Sequence, residues 1–137
     1  MHQEKKRFHE AEISLKKAIA LNPWNENAHN NLGIILQEQR RLEEAEASFE
    51  KLIMLEPDFA NGHYNLGNIL QGLNKLEGAA ESYKRAILIQ EDMVDAHINL
   101  GITLQELGRL EEAEISYKNA IALNPDYSEV HHNLGIA

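Results

Sequence analysis

The side chains able to do chemistry in this chain are histidines and carboxamides, since it carries seven His and no Cys. Four of the histidines, His29, His63, His97 and His131, recur at one interval of 34 residues. A shared zinc fails on spacing. Neighbouring packed helices stand about 8–10 Å apart, whereas two imidazole nitrogens on one zinc each lie about 2.0–2.1 Å from it. These histidines fall instead on the apolar stripe of their helices, where they are expected to pack, and His132 joins His131 only by adjacency. The lack of Cys removes disulfides and thiol chemistry. There is no Gly-rich phosphate loop, nucleophile elbow or carboxylate pair in apolar surroundings. No metal, cofactor or enzymatic activity is therefore expected.

The carboxamides are more informative. Measured at about 100° per residue, Asn61, Tyr64, Asn65, Asn68 and Gln71 share one face, opposite His63, Leu66, Gly67 and Leu70. The preceding copy of that face holds Asn27, Asn30, Asn31, Ile34 and Gln37; the following one holds Asp95, Ile98, Asn99, Ile102 and Gln105. A last copy begins with Glu129, His132, Asn133 and Ile136. Two ladders result, Asn31, Asn65, Asn99 and Asn133 along the centre, and Gln3, Gln37, Gln71 and Gln105 toward an edge. A primary amide both donates and accepts, so a row of them can pair with a peptide backbone whatever its side chains. Ile34, Ile102 and Ile136 would add apolar contact and Tyr64 a broad, partly polar one.

The elements that must position these residues are set by the same period. Asn31-Leu32-Gly33 returns as Asn65-Leu66-Gly67, Asn99-Leu100-Gly101 and Asn133-Leu134-Gly135. A period of this length marks a stacked array, in which each unit buries its apolar face only against its neighbours. Apolar spacing predicts helices over 8–21, 26–39, 42–55, 60–73, 76–89, 94–107, 110–123 and from 128 onward. Pro57-Asp58 and Pro125-Asp126 end one helix and open the next. Arg40-Arg41, Asn74-Lys75 and Gly108-Arg109 mark the tighter turns within each pair. Glycine in mid-helix costs up to about 1 kcal/mol against Ala, and close helix approach is the reason expected for the in-phase glycines.

Laid in order, Leu-Gly in a first helix, then Ala (Ala11, Ala45, Ala79, Ala113), a large residue (Leu15, Phe49, Tyr83, Tyr117), a small or apolar one (Ala18, Leu52, Ala86, Ala120) and Pro (Pro23, Pro57, Pro125) resemble the tetratricopeptide repeat. Glu91 takes the place of the fourth Pro. The resemblance implies an all-α, right-handed α-solenoid of stacked antiparallel helix pairs. It also implies that the amide face lines a concave groove for an extended peptide, the function being non-catalytic protein binding. Chaperone-binding members grip a carboxylate tail with Lys and Arg in that groove, and this face has neither. The asparagine row is similar to that of the array attached to O-linked N-acetylglucosamine transferases, which leaves a substrate-binding part of a larger enzyme as an alternative. Asn is also common at this place in tetratricopeptide repeats generally.

The register divides the chain into a partial repeat (1–25, the end of a first helix plus a second helix), whole repeats at 26–59, 60–93 and 94–127, and a partial repeat at 128–137. Both ends fall inside a repeat, so a fragment of a longer array is expected, or else a small protein that self-associates through uncapped ends. A net charge of −9 argues against nucleic acid, and no apolar run of about 18 residues suits a membrane. The partner expected is a protein or peptide segment, neutral to mildly basic, and the setting cytoplasmic. Acidic residues such as Glu43, Glu44, Glu46, Glu111, Glu112 and Glu114 read as a solvated outer face. Glu91, with Gly78 in the helix before it, marks residues 89–94 as the softest junction expected.

Overall fold

A computed structural model describes residues 2–125, which form seven helices and no strand. They are α1 (His2–Leu21), α2 (Glu26–Glu38), α3 (Leu42–Leu55), α4 (Ala60–Gly72), α5 (Leu76–Ile89), α6 (Val94–Glu106) and α7 (Leu110–Leu123). Each helix packs on the next, and α2, α4 and α6 also touch in turn, so the chain is an all-α helical repeat solenoid. The predicted bounds hold to within a residue for α2 to α7. The predicted helix from 128 onward lies outside the described residues.

At the start of the chain the structure differs from expectation. Residues 2–7 continue into α1 as one helix instead of ending at a turn. The turns within the later pairs are built otherwise. Arg41, Lys75 and Arg109 each donate a backbone N–H back to Leu36, Leu70 and Leu104, at 2.9, 2.8 and 2.8 Å, across a residue of positive φ: Arg40 (62°), Asn74 (61°) or Gly108 (78°). That loop is a helix stop in which a left-handed residue lets the last carbonyls be satisfied.

A second adjustment concerns helix starts. Among the described N-caps, those of α2 to α7, only Asn25 caps with its side chain, its Oδ1 accepting from Ala28 N at 3.1 Å. The N-cap of α4 is Phe59, not Asp58, and Met93 holds that place in α6.

The core is a continuous spine built from both helices of each pair: Leu32, Leu36, Phe49 and Leu52, then Leu66, Leu70, Ala79 and Tyr83, then Leu100, Leu104, Ala113 and Tyr117. The in-phase glycines lie where these rings press in. A Cβ built on Gly33, Gly67 or Gly101 would meet Phe49, Tyr83 or Tyr117 at 2.7, 2.7 and 2.6 Å. Ionic ties cross from one second helix to the turn ahead of the next: Arg41 to the buried Glu12, and Lys75 to Glu46 at 3.0 Å. At the third step Ala80 stands where Glu12 and Glu46 stood, and Arg109 reaches the exposed Glu77 at 3.7 Å.

Candidate functional site

The histidine ladder does more than pack. His29, His63 and His97 are buried, and each Nε2 lies 2.9, 2.8 and 2.9 Å from the carbonyl oxygen of Pro23, Pro57 and Glu91. A carbonyl only accepts, so Nε2 carries the proton. Each imidazole thus ties the turn between repeats to the helix that follows. The tie survives the replacement of Pro by Glu91, and with it the turn bond, Phe59 N to Glu56 O at 3.2 Å in one copy and Met93 N to Gln90 O at 3.3 Å in the next. The sequence signal was present, a His six residues after the turn in each repeat, but spacing alone does not separate a packing ring from a donor.

On the amide face, Asn27, Asn31, Asn61, Asp95 and Gln105 are exposed, and Gln37, Asn65, Asn68, Gln71 and Asn99 are partly so. Ile34 and Ile102 are partly buried against the core. Ile98 is a correction to the surface expected: it is 4% exposed and belongs to the core cluster. Its counterparts explain this. Tyr64 is only partly exposed, its ring tilted on Tyr83 at 5.9 Å between centroids, and Asn30 Oδ1 is buried without a partner. The position faces the seam between repeats more than the open groove. Asn133, with Glu129, His132 and Ile136, lies outside the described residues, as does the Gln3 side chain.

The structure joins the central amides into a network that crosses the repeat boundary. Tyr83 Oη donates its one proton to Asn68 Oδ1, the shorter contact, and Gln71 Oε1 lies 3.0 Å from the same hydroxyl. Asn99 Nδ2 donates to Asn68 Oδ1 and to Tyr64 Oη, both at 3.1 Å. One period on, Tyr117 Oη donates to Gln105 Oε1 at 2.9 Å. Burial raises the Tyr83 hydroxyl well above its usual range, with Tyr64 a second cause, and burial raises Tyr117 too. Both phenols therefore stay protonated donors at neutral pH. The consequence is that the amides are oriented. Asn68 and Gln105 have their oxygens occupied and keep their NH2 groups for outside partners; Asn99 has its NH2 occupied and keeps its oxygen. Asn30 Oδ1 is the one buried, unpaired side-chain polar atom among the described residues, so these remaining groups are open to solvent. Phe49 stands where Tyr83 and Tyr117 do, and Gln37 has no such tether.

Among the described residues no helix is long and apolar enough to cross a membrane. Comparison with solved structures gives the same architecture. The chain is similar to the crystal structure of MamA, with a TM-score of 0.93, 23% identity, and coverage of 98% of this chain and 78% of that one. It is similar to the Arabidopsis OM64 TPR domain (TM-score 0.77, 20% identity, 80% of this chain and 91% of that one). It is also similar to the first TPR of Spaghetti (RPAP3) bound to the HSP90 peptide SRMEEVD (TM-score 0.78, 21% identity, 80% and 87%). No curated protein matches the chain significantly. Tetratricopeptide repeat profiles match residues 3–69, 68–108 and 94–127. With a 34-residue period, paired helices and in-phase glycines under aromatic rings, the chain belongs to the tetratricopeptide repeat family.

Proposed function

We propose that this array is a protein-interaction module that holds an extended peptide segment, neutral to mildly basic, along the amide face of α2, α4 and α6. The observation that carries the proposal is the tethered network of Tyr64, Asn68, Tyr83 and Asn99. Fixed amides lose little freedom on binding, and a set that offers donors at Asn68 and Gln105 and an acceptor at Asn99 matches the mixed N–H and C=O groups of an extended backbone. Buried phenols holding the amides in place add preorganisation that free surface amides lack.

The chemistry of the face also favours one class of peptide over another. The structurally similar Spaghetti domain binds SRMEEVD, which ends in three acidic residues out of four. The amide face here carries no Lys or Arg and has the exposed Asp95 at its rim, so an acidic tail finds no cation to pair with. A neutral or mildly basic segment meets no such penalty.

The test is selection of binders from an array of uncharged and mildly basic dodecapeptides, followed by affinity measurement. Asn65→Ala with Asn99→Ala should weaken the selected binders at least tenfold while the helical circular dichroism stays constant. Tyr83→Phe, which releases Asn68 without touching the open face, should weaken them by a smaller factor. Unchanged affinity in the double variant would reject the groove as the binding surface.

A further inference from the structure

A second surface lies away from the amide face, where α5, the turn at 90–93 and α7 enclose an open hollow of about 560 Å³. Its apolar part is Ile87, Leu88, Ala122 and Leu123, and its rim carries Glu91, Asp92 and Asn119. Leu88 is 79% exposed there. None of the amide-face residues lines it.

The corresponding places in the earlier repeats are filled differently. Where α7 presents Asn119 and Ala122, α5 presents Arg85 and Leu88, and α3 presents Lys51 and Met54. The turn residue facing that column is Trp24, then Asp58, then Asp92. In the first copy the pairing across the gap is direct, with Lys51 Nζ 5.9 Å above the Trp24 ring, a favourable contact of cation and aromatic face. In the second copy the two residues have opposite charge. In the third the cation is replaced by Asn119, while the acidic side is doubled by Glu91 in place of Pro. Shortening of both α7 side chains also opens the space. The other titratable groups at the hollow are His97, engaged with the Glu91 carbonyl, and Lys84 in an adjoining smaller recess, 3.9 Å from Glu112.

We infer that the hollow between α5 and α7 is a docking site for a basic, apolar segment of a partner protein, in which a Leu-like side chain covers Leu88, Ala122 and Leu123 and an adjacent Lys or Arg pairs with Glu91 and Asp92. The partner supplies from outside the cation that Lys51 supplies within the chain in the first copy and that the sequence places at Arg85 in the second. Apolar contact at the centre with charge at the rim is the usual division of labour in such surfaces, the charges setting orientation and partner choice.

The test is amide-resolved NMR titration with a capped Lys-Leu-Leu-Arg tetrapeptide, with a capped Glu-Leu-Leu-Glu tetrapeptide as control. The basic peptide should shift the amides of Leu88, Asn119 and Leu123, and the acidic one should bind at least tenfold more weakly. Leu88→Asp, at a position exposed enough to leave the fold intact, should abolish the shifts. Asn119→Lys, which restores the cation inside the chain, should weaken the basic peptide at least fivefold. Asn65→Ala with Asn99→Ala, which tests the amide face, should change nothing here. Equal shifts by the two peptides, shifts confined to the amide face, or binding indifferent to Leu88→Asp and Asn119→Lys would each overturn the assignment.

Discussion

Replacing Gly67 by Ala sets two known effects against each other. Alanine is better than glycine in a helix interior by about 1 kcal/mol, so propensity alone expects a gain. The surroundings of Gly67 reverse it. The new Cβ would stand 2.7, 2.8 and 3.0 Å from three carbons of the Tyr83 ring, against about 3.5–4.0 Å for a relaxed carbon contact. About 1 Å of separation must be found, and the ring is poorly placed to yield it. Tyr83 is fully buried, its hydroxyl is bonded to Asn68, and its ring packs at a tilt on that of Tyr64. Overpacking of this kind costs about 1–3 kcal/mol, leaving a net loss of up to about 2 kcal/mol. For a domain of this size that lowers the melting temperature by roughly 4 °C per kcal/mol. Thermal unfolding followed by circular dichroism reads the effect. Tyr83→Leu removes the ring, and in that background Gly67→Ala should cost nothing or stabilise. A Gly67→Ala protein as stable as the parent, or the same loss in both backgrounds, would refute the close-approach account.

Three further outcomes are expected. Hydrogen bonds from Arg41 and then Lys16 hold the Glu12 carboxyl at about 2; because its folded value lies below the unfolded one, its stabilisation is complete above about pH 4.5 and is lost as pH falls through about 2. Urea unfolding across that interval should therefore be less steeply pH-dependent in Glu12→Gln. Arg40→Gly relieves a left-handed residue that carries a Cβ and should stabilise by about 1 kcal/mol in urea unfolding, and a loss of stability there would contradict the turn geometry. Glu91→Pro restores the residue found at Pro23 and Pro57 in a turn whose bonds are already the same, so a gain of about 0.4–1 kcal/mol is expected, and reduced hydrogen-exchange protection in α5 and α6 would argue the reverse.

Most of the fold was legible because it is repeated: three or four copies of each signal agree, and six helix bounds follow from apolar spacing and turn residues. What escaped was anything that depends on a hydrogen atom or on a neighbour. His63 falls on the packing stripe whether or not its Nε2 reaches Pro57, and Tyr83 occupies a large-residue position whether or not its hydroxyl reaches Asn68. Ile98 shares a helix face with Asn99, yet 100° spacing does not say that one is closed over and the other stays partly exposed. Glu12 and Arg41, 29 residues apart, match no single helix face, so their tie is visible only once the stack is built. The run of α1 through residues 6 and 7 escaped for a different reason: the register carried a turn across from the other repeats to a place where the chain stays helical.

The network around Asn68 has a consequence for how such an array can be cut, copied or recombined. Its members come from α4, α5 and α6, so the unit that presents a fixed set of donors and an acceptor begins in one 34-residue copy and ends in the next. The period of the sequence and the period of recognition are out of step. A single transplanted repeat would carry its helices faithfully into a new host and leave its specificity behind at the seam, whereas a segment spliced in mid-repeat, keeping Tyr64 through Asn99 together, would carry both.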